Sequence, residues 1–408
     1  MTKKGLRVAL VTSEYRTAQS AGGGVAAVTD FACAALEMAG HTVDVISLRM
    51  WSRAPESRRI VAPGSWWRGP VIGERRVGDR RVRDVGANFP EIEVLRFRPR
   101  RVLDCILREY DVALVVAGSP ALCFPLSRAT VPVVLQVATF VKEERRRTGG
   151  SVWSLRGAIR KSRTWLVGLL DERGLRVPRL TLVENKWMYE QCSLRDVPVL
   201  LQPPGIDTQQ FRPDPGRRMD PGYVLSVSRL HDPRKDIRLL VAAFARARKL
   251  GLPQSLVLAG RRPPPVDVMR LIEAEGLNDV VRVVVNPSQV DLVQWFQGAQ
   301  FFVLSSKEEG LGVALIEALA CGVPVIATAT RGAETVITEE VGCLLPFGPS
   351  LEEDMAQRMV KFGFDRIELD HRRLACRERA VREFSALDAG QVFVQAVTAV
   401  AVGQSEVA

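Results

Sequence analysis

Short apolar runs alternate with helical patterns along most of this chain, and this alternation limits the fold more than any other feature. In the first half, residues 25–40 space their apolar positions as an amphipathic helix does and end at Gly40. Strand-like runs surround this helix, at 6–13, 41–49, 92–97, 111–118, 131–138 and 180–185. Strands that alternate with helices predict a parallel, doubly wound sheet. Residues 51–90 interrupt the rhythm, and we expect a long surface excursion there, either a hairpin or a mobile loop.

A proline-rich stretch divides the chain into two such regions. Residues 201–223 hold five prolines and show little periodicity, which is the composition of a linker. The alternation then restarts, with helices over 236–250 and 312–321 and strands at 223–230, 256–260, 281–285, 300–306 and 323–328. We therefore predict an α/β protein with two Rossmann-like, doubly wound parallel-sheet domains that face each other across a cleft. The predicted bounds are 1–203 for the first domain, 204–385 for the second, and 386–408 for a terminal helix, with packing back on the first domain as one arrangement.

The positive charge of the chain is confined to its first half. The formal net charge is +11 over 408 residues. Residues 1–203 contain 33 Lys and Arg against 20 Asp and Glu, a net of +13, and the remainder contains 24 against 26, a net of −2. Such a field attracts nucleic acid, an anionic membrane surface or a phosphorylated acceptor, and arginines that serve only solubility are an equal alternative.

Two further patterns bear on location. No apolar run approaches the roughly 20 residues that cross a bilayer, and the seven cysteines form no CxxC pair, which favours core thiols in a reducing compartment. We expect a cytoplasmic protein, with peripheral contact to an anionic membrane as an option. From 152 to 170, apolar and basic residues alternate at helical spacing, which is typical of a membrane-surface helix and, as the favoured alternative, of a helix packed on a sheet.

The segment LSSKEEGLGVALIEALACGVPVIAT, residues 304–328, suits a phosphate and a sugar. A strand should end before Glu309, and a helix should begin near Gly312. Glu309 is suited to accept hydrogen bonds from sugar hydroxyls. Glu317, about one and a half turns into the helix at ~3.6 residues per turn, suits a ribose diol. Together these features fit a nucleoside diphosphate that carries a sugar.

The predicted phosphate seat is the start of this helix, where the first N–H groups have no partner within the helix. Glycines next to these groups have no Cβ, so the backbone can approach a ligand closely. The residues of this seat are Gly310, Leu311, Gly312 and Val313.

The same segment resembles the E-x7-E signature of the retaining family-4 glycosyltransferases, which have the GT-B fold. The matching string is S-x-x-E-E-G-L-G-x-x-x-I-E-A-L-A-C-G-x-P-V-I-A. Residues 227–245, VSRLHDPRKDIRLLVAAFA, resemble another segment of this family. The resemblance implies that Arg229 and Lys235 neutralise the donor diphosphate and that Glu309 is the third catalytic residue. Weaker matches imply that Gly23 and Gly24 approach the donor phosphate and that Gly260 and Arg261 lie near the nucleobase.

Three departures from the family pattern affect what the resemblance implies. Ser228 and Asp236 stand where glycines are usual, and Ala138 stands where the family commonly has a histidine. The sequence therefore identifies no side-chain base, and attack from the same face of the sugar does not require one, because the donor's own phosphate oxygen can take the acceptor proton.

The resemblance implies a retaining, metal-independent glycosyltransferase without a cofactor, which moves a sugar from a nucleotide-diphosphate donor to an acceptor hydroxyl. The acceptor would be a lipid-linked or cell-surface glycan or a small natural product. A phosphorylase or a nucleotide-sugar epimerase of the same fold is an alternative. A basic nucleic-acid-binding protein is another, but aromatic residues are only 6% and no RNP-like string is visible, so we expect no nucleic acid partner.

Overall fold

A computed structural model of the chain describes residues 5–15, 24–78, 80–146, 155–217 and 222–403. These residues form two compact units, one within Met1–Gly205 together with Leu387–Ala408 and the other within Ile206–Ala386. Each unit contains its own sheet, with helices packed on it.

The first unit is built on an eight-stranded sheet. Its strands are β1 (Arg7–Thr12), β2 (Thr42–Leu48), β3 (Ile72–Val77), β4 (Arg80–Val85), β5 (Val112–Ala117), β6 (Val133–Val137), β7 (Leu180–Val183) and β8 (Val199–Leu201). Its α-helices are α1 (Gly24–Met38), α2 (Gly64–Arg68), α3 (Arg101–Leu107), α4 (Val141–Glu144), α5 (Leu155–Gly174) and α6 (Lys186–Ser193), and 3-10 helices form at Glu93–Phe97 and Pro120–Leu126. The strand order is β3-β4-β2-β1-β5-β6-β7-β8, and all neighbours are parallel except β3 and β4.

Strand β1 is buried on both faces, as is typical of a parallel sheet covered by helices on each side. Val8 and Leu10 enter one apolar core, and Ala9 and Val11 enter another on the opposite face. A strand that is buried on both faces reads as a continuous apolar run, and this is the signal that the sequence carries.

The segment at 92–97 corrects one sequence prediction. We expected a strand, but Glu93–Phe97 is a 3-10 helix whose residues are not buried. The reason lies in the preceding excursion, which does contain a hairpin: β3 pairs antiparallel with β4, and β4 pairs parallel with β2. Both edges of β4 are therefore occupied, so the segment that follows β4 cannot pair with it.

The second unit contains a six-stranded parallel sheet. Its strands are β9 (Tyr223–Val227), β10 (Ser255–Gly260), β11 (Val281–Val285), β12 (Phe301–Leu304), β13 (Val325–Thr328) and β14 (Gly342–Leu345). Its α-helices are α7 (Ile237–Lys249), α8 (Val266–Ala274), α9 (Gln289–Gly298), α10 (Val313–Ala320), α11 (Arg331–Val336), α12 (Leu351–Phe364) and α13 (Arg366–Phe384). The order β11-β10-β9-β12-β13-β14 reverses direction between β9 and β12. Ligands of such sheets bind beyond the carboxyl ends of the strands at this reversal.

The last helix, α14 (Ala386–Ala401), returns to the first unit. Phe393, Ala396, Val397 and Val400 are buried in the core that also holds α1. The ring of Phe393 lies edge-on to Phe31, with 5.7 Å between centroids. Across the described part of the chain, no helix combines the length and the apolar character needed to cross a membrane.

Candidate functional site

Two loops at the reversal point of the second sheet bring the main charged candidates together. Lys235 lies in the loop after β9, and Glu309 lies in the loop after β12. Lys235 Nζ is 2.6 Å from Glu309 Oε1, and each side chain is 11% exposed. An ion pair this far from solvent is strong when intact and costly to break on one side only. The two residues that the sequence assigned to separate tasks therefore bind each other in this structure.

Hydroxyl groups around the pair fix both loops. Ser306 Oγ donates to Glu309 Oε1 at 2.6 Å, and Thr328 Oγ1 donates to the carbonyl of Ser306. Ser305 Oγ lies 2.8 Å from the carbonyl oxygen of Lys235 and donates to it. These short side chains follow or end buried strands, so the carboxylate and the ammonium group are held by the rigid part of the unit.

Asp236 explains why the related family has glycine at this position. Its backbone adopts a left-handed conformation, with φ +43° and ψ 49°, at the start of α7. Glycine adopts this conformation without strain, and aspartate tolerates it better than most residues. Its carboxylate also forms an ion pair with Lys307, with 3.0 Å between Nζ and Oδ2. The departure therefore keeps the turn that places Lys235.

Arg229 is the more accessible of the two predicted cations. Its guanidinium lies 3.3 Å from Asp232 Oδ2, and its side chain is 40% exposed. Burial raises the pKa of Asp232, but the hydrogen bonds and charges of Arg234 and Arg229 outweigh it and hold this pKa below its ordinary value. Asp232 is thus ionised at neutral pH and keeps the loop after β9 folded around both cations.

The start of α10 has the geometry expected of an anion seat. Gly312 is its N-cap, with φ +82°, and it provides no capping side chain. The first N–H groups of the helix, which begins at Val313, thus have no side-chain acceptor at the N-cap. The preceding Leu311 is buried and anchors the turn in the core.

A second contact holds the Glu309–Gly312 turn from behind. The N–H of Gly332 in α11 donates to the carbonyl of Glu309 at 3.1 Å. A Cβ on Gly332 would lie 2.6 Å from the Cα of Leu311, which is closer than real Cβ contacts allow. The sequence analysis did not predict this role for Gly332. The available clue was the glycine itself, in the stretch ATRGAETV, since glycine permits a close approach of backbone.

Glu317 faces a protein environment in which its charge has no compensation. Within the described residues its carboxylate has no hydrogen-bond or ion-pair partner. Although the residue as a whole keeps some exposure, burial raises the pKa of its carboxyl group to about 7. A carboxylate in this state can accept hydrogen bonds from ligand hydroxyls, which would stabilise its ionised form.

Glu317→Gln should remove a pH dependence of stability. Because the folded-state pKa is raised, the folded protein binds more protons than the unfolded chain between about pH 4.5 and 7, so the ionised carboxylate lowers stability as pH rises. The variant lacks this loss. The difference in free energy of unfolding, variant minus wild type, should therefore be roughly 1–3 kcal/mol larger at pH 8 than at pH 5. Urea unfolding at both pH values measures this difference, and an equal difference at both would contradict the environment described for Glu317.

The remaining predicted residues lie in two other places. Gly260 ends β10, and a Cβ there would lie 2.4 Å from the carbonyl oxygen of Ser228, so glycine lets β10 pack against the loop that carries Arg229. Arg261 follows it, half-buried and with an interaction partner of its own. Gly24 begins α1 in the first unit, and a Cβ added there would meet open space; Gly23 lies outside the described residues.

A buried polar group in the first unit escaped sequence reasoning. Glu184 directly follows β7, and burial raises its pKa to about 7, although a hydrogen bond with Gln136 lowers it. Asn185 Nδ2 donates to the carbonyl of Ala138 at 3.0 Å, so these residues meet at the carboxyl edge of the first sheet. The available signal was a carboxylate directly after the apolar run LTLV.

Comparisons with known proteins agree with this architecture. Residues 207–379 match the family described as Glycosyl transferases group 1. D-inositol 3-phosphate glycosyltransferase 2 of Catenulispora acidiphila is 32% identical over 152 residues, which are 33% of this chain and 36% of the relative. The GDP-mannose-dependent alpha-(1-6)-phosphatidylinositol monomannoside mannosyltransferase of Mycolicibacterium smegmatis is 31% identical over 160 residues, 35% of this chain and 42% of the relative. The chain thus spans less than half the length of these relatives.

The fold is shared with solved structures over nearly the whole chain. Sucrose-phosphate synthase from Thermosynechococcus elongatus superposes with a TM-score of 0.68 at 21% identity, covering 97% of this chain and 100% of that one. The two parallel α/β units, with charged loops at the reversal point of the second, define a protein of the GT-B fold. Residues 207–379 match the glycosyl transferases group 1 family, and this match confirms the resemblance carried by the E-x7-E string.

Proposed function

We propose that this protein is a retaining glycosyltransferase that moves a sugar from a nucleoside-diphosphate donor to an acceptor hydroxyl without a metal ion or cofactor. The observation that carries the proposal is the Lys235–Glu309 pair at the reversal point of the second sheet. It lies beside the start of α10, which has no side-chain cap, and the same helix carries the carboxylate of Glu317, which has no partner among the described residues. Cation, N–H donors and two carboxylates match the diphosphate, the sugar and the ribose of such a donor.

Donor binding would rearrange the ion pair. The donor diphosphate offers Lys235 a second anion, and Glu309 is then released to accept hydrogen bonds from the sugar hydroxyls. As the bond from the sugar to the β-phosphate oxygen breaks, Lys235 and Arg229 stabilise the charge that develops on this oxygen. The acceptor oxygen attacks from the same face, and its proton passes to the leaving phosphate. No protein base enters this step, in keeping with Ala138 at the family's histidine position.

The names of the relatives support the substrate class. One relative acts on a phosphorylated inositol, and another depends on GDP-mannose and acts on a phosphatidylinositol mannoside. We propose by analogy that the donor is a nucleotide sugar and that the acceptor is a hydroxylated molecule, lipid-linked or soluble.

Thermal-shift measurements with UDP-, GDP- and dTDP-sugars test the proposal without knowledge of the acceptor. At a ligand concentration of about 100 Kd, binding to the folded state adds about 2.7 kcal/mol of stability and raises the melting temperature. One nucleotide series should stabilise wild type and should fail to stabilise Lys235→Ala. If every donor leaves the melting temperature of the wild type unchanged, the proposal is wrong.

We also propose that α5 contacts an anionic membrane surface. Val167 and Leu170 on one face of the helix are buried with Ala121 and Val141, so packing on the domain accounts for that face. Other apolar side chains of α5 are exposed: Ile159 at 50%, Trp165 at 57%, and Leu166 and Leu169 at 39% each. Basic residues lie on the same helix, namely Arg160, Lys161 and Arg163. Exposed Trp and Leu beside Lys and Arg are typical of helices that lie in the interface.

Trp165→Gln combined with Leu166→Gln should weaken binding to vesicles of phosphatidylcholine and phosphatidylserine by about 10-fold or more, because burying each side chain contributes about 1.5–3 kcal/mol. Leu374→Gln is the control, since Leu374 is 68% exposed in the second unit. Co-sedimentation measures the bound fraction, and equal binding of the double variant and the control would exclude this surface.

A further inference from the structure

Three arginine side chains meet at a cavity within the first unit. The cavity has a volume of about 300 Å³ and is lined by Arg58, Asn88, Phe89, Arg98, Pro99 and Arg128. These residues come from the excursion after β2, the segments before and after the 3-10 helix Glu93–Phe97, and the end of the 3-10 helix Pro120–Leu126. We call this group the arginine cavity.

The backbone around the arginine cavity is tightly fixed. The N–H of Arg58 donates to the carbonyl of Ala87 at 2.9 Å, and the N–H of Phe89 donates to the carbonyl of Arg58 at 2.6 Å. Phe89 itself has φ +47°, the left-handed region that bulky residues rarely adopt. Strain of this kind persists only where the surroundings enforce it, and it is enriched at ligand sites.

The cations of the cavity, Arg58, Arg98 and Arg128, have no ion-pair partner among the residues that the structure describes. The Arg58 guanidinium stacks on the ring of Phe89, 4.8 Å from its centroid, while its Nε is buried without a hydrogen-bond partner. A buried donor without an acceptor destabilises the folded state, and a bound anion that accepts from it would offset this cost.

The surroundings increase the positive field. Arg100, next to Pro99, is 2% exposed and donates only to protein carbonyls and a sulfur atom in the hydrogen bonds described for it. Burial lowers its pKa to about 10, so it remains charged at neutral pH. Asp104 interacts electrostatically with Arg128, but burial raises the pKa of this carboxyl, and Arg128 and Arg108 only partly oppose the shift. The nearby carboxylate of Glu91 accepts its hydrogen bond from the backbone N–H of Ile60 and not from an arginine of the cavity.

We propose that the arginine cavity binds a phosphate monoester, such as that of a sugar phosphate or cyclitol phosphate. Three guanidinium groups suit the roughly −1.5 to −2 charge of a phosphate monoester better than the single charge of a carboxylate. The volume lies at the lower end for small-molecule sites, so it holds more than a free phosphate ion. Phe89 and Pro99 provide apolar surface for the C–H face of a ring. The inference does not depend on the proposed function, because the donor-site residues lie in the second unit.

Titration calorimetry with three probes tests the proposal and separates the sources of phosphate. The probes are inorganic phosphate, glucose 6-phosphate, and vesicles that contain phosphatidic acid. Glucose 6-phosphate should bind wild type more tightly than inorganic phosphate does. The double variant Arg98→Gln with Arg128→Gln should lose about 100-fold in affinity or more, since two charge-assisted hydrogen-bond partners are removed. Both arginines are exposed, so the variant should fold normally.

Three further variants make the result specific. Arg108→Gln removes the same charge from the same region, outside the cavity lining, and should leave binding unchanged. Phe89→Asn removes the aromatic ring, and asparagine tolerates the left-handed backbone at this position. This variant should weaken the binding of glucose 6-phosphate but not the binding of inorganic phosphate. Lys235→Ala should bind glucose 6-phosphate like wild type, which keeps a failure of the donor-site proposal separate from a failure here.

Each outcome decides between the alternatives. Binding of the soluble ester that is lost in the double variant supports a metabolite site, and binding of the vesicles alone, lost in the same variant, assigns the phosphate to a lipid headgroup. Equal affinity of wild type and the double variant for every probe, or no binding of any probe to wild type, overturns the proposal.

Discussion

Replacement of Lys235 by alanine is expected to lower kcat/KM for sugar transfer by about 100- to 1,000-fold, the loss seen when one charge-stabilising group is removed from an active site. The Nζ–Oε1 distance of 2.6 Å and the 11% exposure of both side chains show that Lys235 and Glu309 form one ion pair, largely shielded from solvent, and we expect them to act as a unit. Glu309→Ala should therefore cost about as much, and the double variant should be only slightly worse than either single one. Steady-state kinetics with the donor identified by thermal shift measure all three variants.

A surface ion pair of the same chemistry provides the control. Lys249 Nζ is 2.7 Å from Glu275 Oε2, but the lysine side chain is 72% exposed. Lys249→Ala should leave kcat/KM within about 2-fold of wild type, because exposed pairs contribute only about 0–1 kcal/mol. Circular dichroism checks that Lys235→Ala is folded. If folded Lys235→Ala keeps wild-type kcat/KM, the assignment of the catalytic site is refuted.

The position of the candidate site was predictable because it follows from topology. Parallel strands place their carboxyl ends on one edge, so the loops after β9 and β12 must meet wherever these strands are neighbours, as they are. The sequence also located the start of α10, since Gly312 precedes an apolar helical run. Local pattern and sheet order thus suffice to bring Lys235, Glu309 and α10 together.

Contacts between distant side chains were not predictable in the same way. The family resemblance assigned Lys235 to phosphate, and the local pattern assigned Glu309 to sugar. Neither gives the distance between two residues that are 74 positions apart. The arginine cavity gathers residues from 58 to 128, and no local periodicity marks their convergence. The strand expected at 92–97 failed for a similar reason: whether an apolar run pairs depends on which sheet edges are free, and β3 had already occupied that edge.

Gly332→Ala is expected to reduce kcat/KM by about 100-fold although Gly332 has no proposed contact with substrate, because a shift of about 1 Å in a catalytic group has this effect. The new Cβ would lie 2.6–2.7 Å from the backbone atoms Cα, C and N of Leu311. Backbone cannot rotate away as a side chain can, so the Glu309–Gly312 turn and the start of α10 must move together. The nucleoside diphosphate should bind more weakly for the same reason, and isothermal titration measures this loss.

Two variants separate this displacement from a general loss of stability. Gly348→Ala adds a Cβ in open space in the same unit, and it should keep wild-type activity and affinity. Leu311→Ala combined with Gly332→Ala should not restore activity, since shortening the Leu311 side chain leaves its backbone in place. Gly332→Ala should unfold cooperatively, with about 1–3 kcal/mol less stability from overpacking. Unchanged kcat/KM in Gly332→Ala would mean that the turn carrying Glu309 tolerates displacement, and its rigid placement by α11 would then have no role in catalysis.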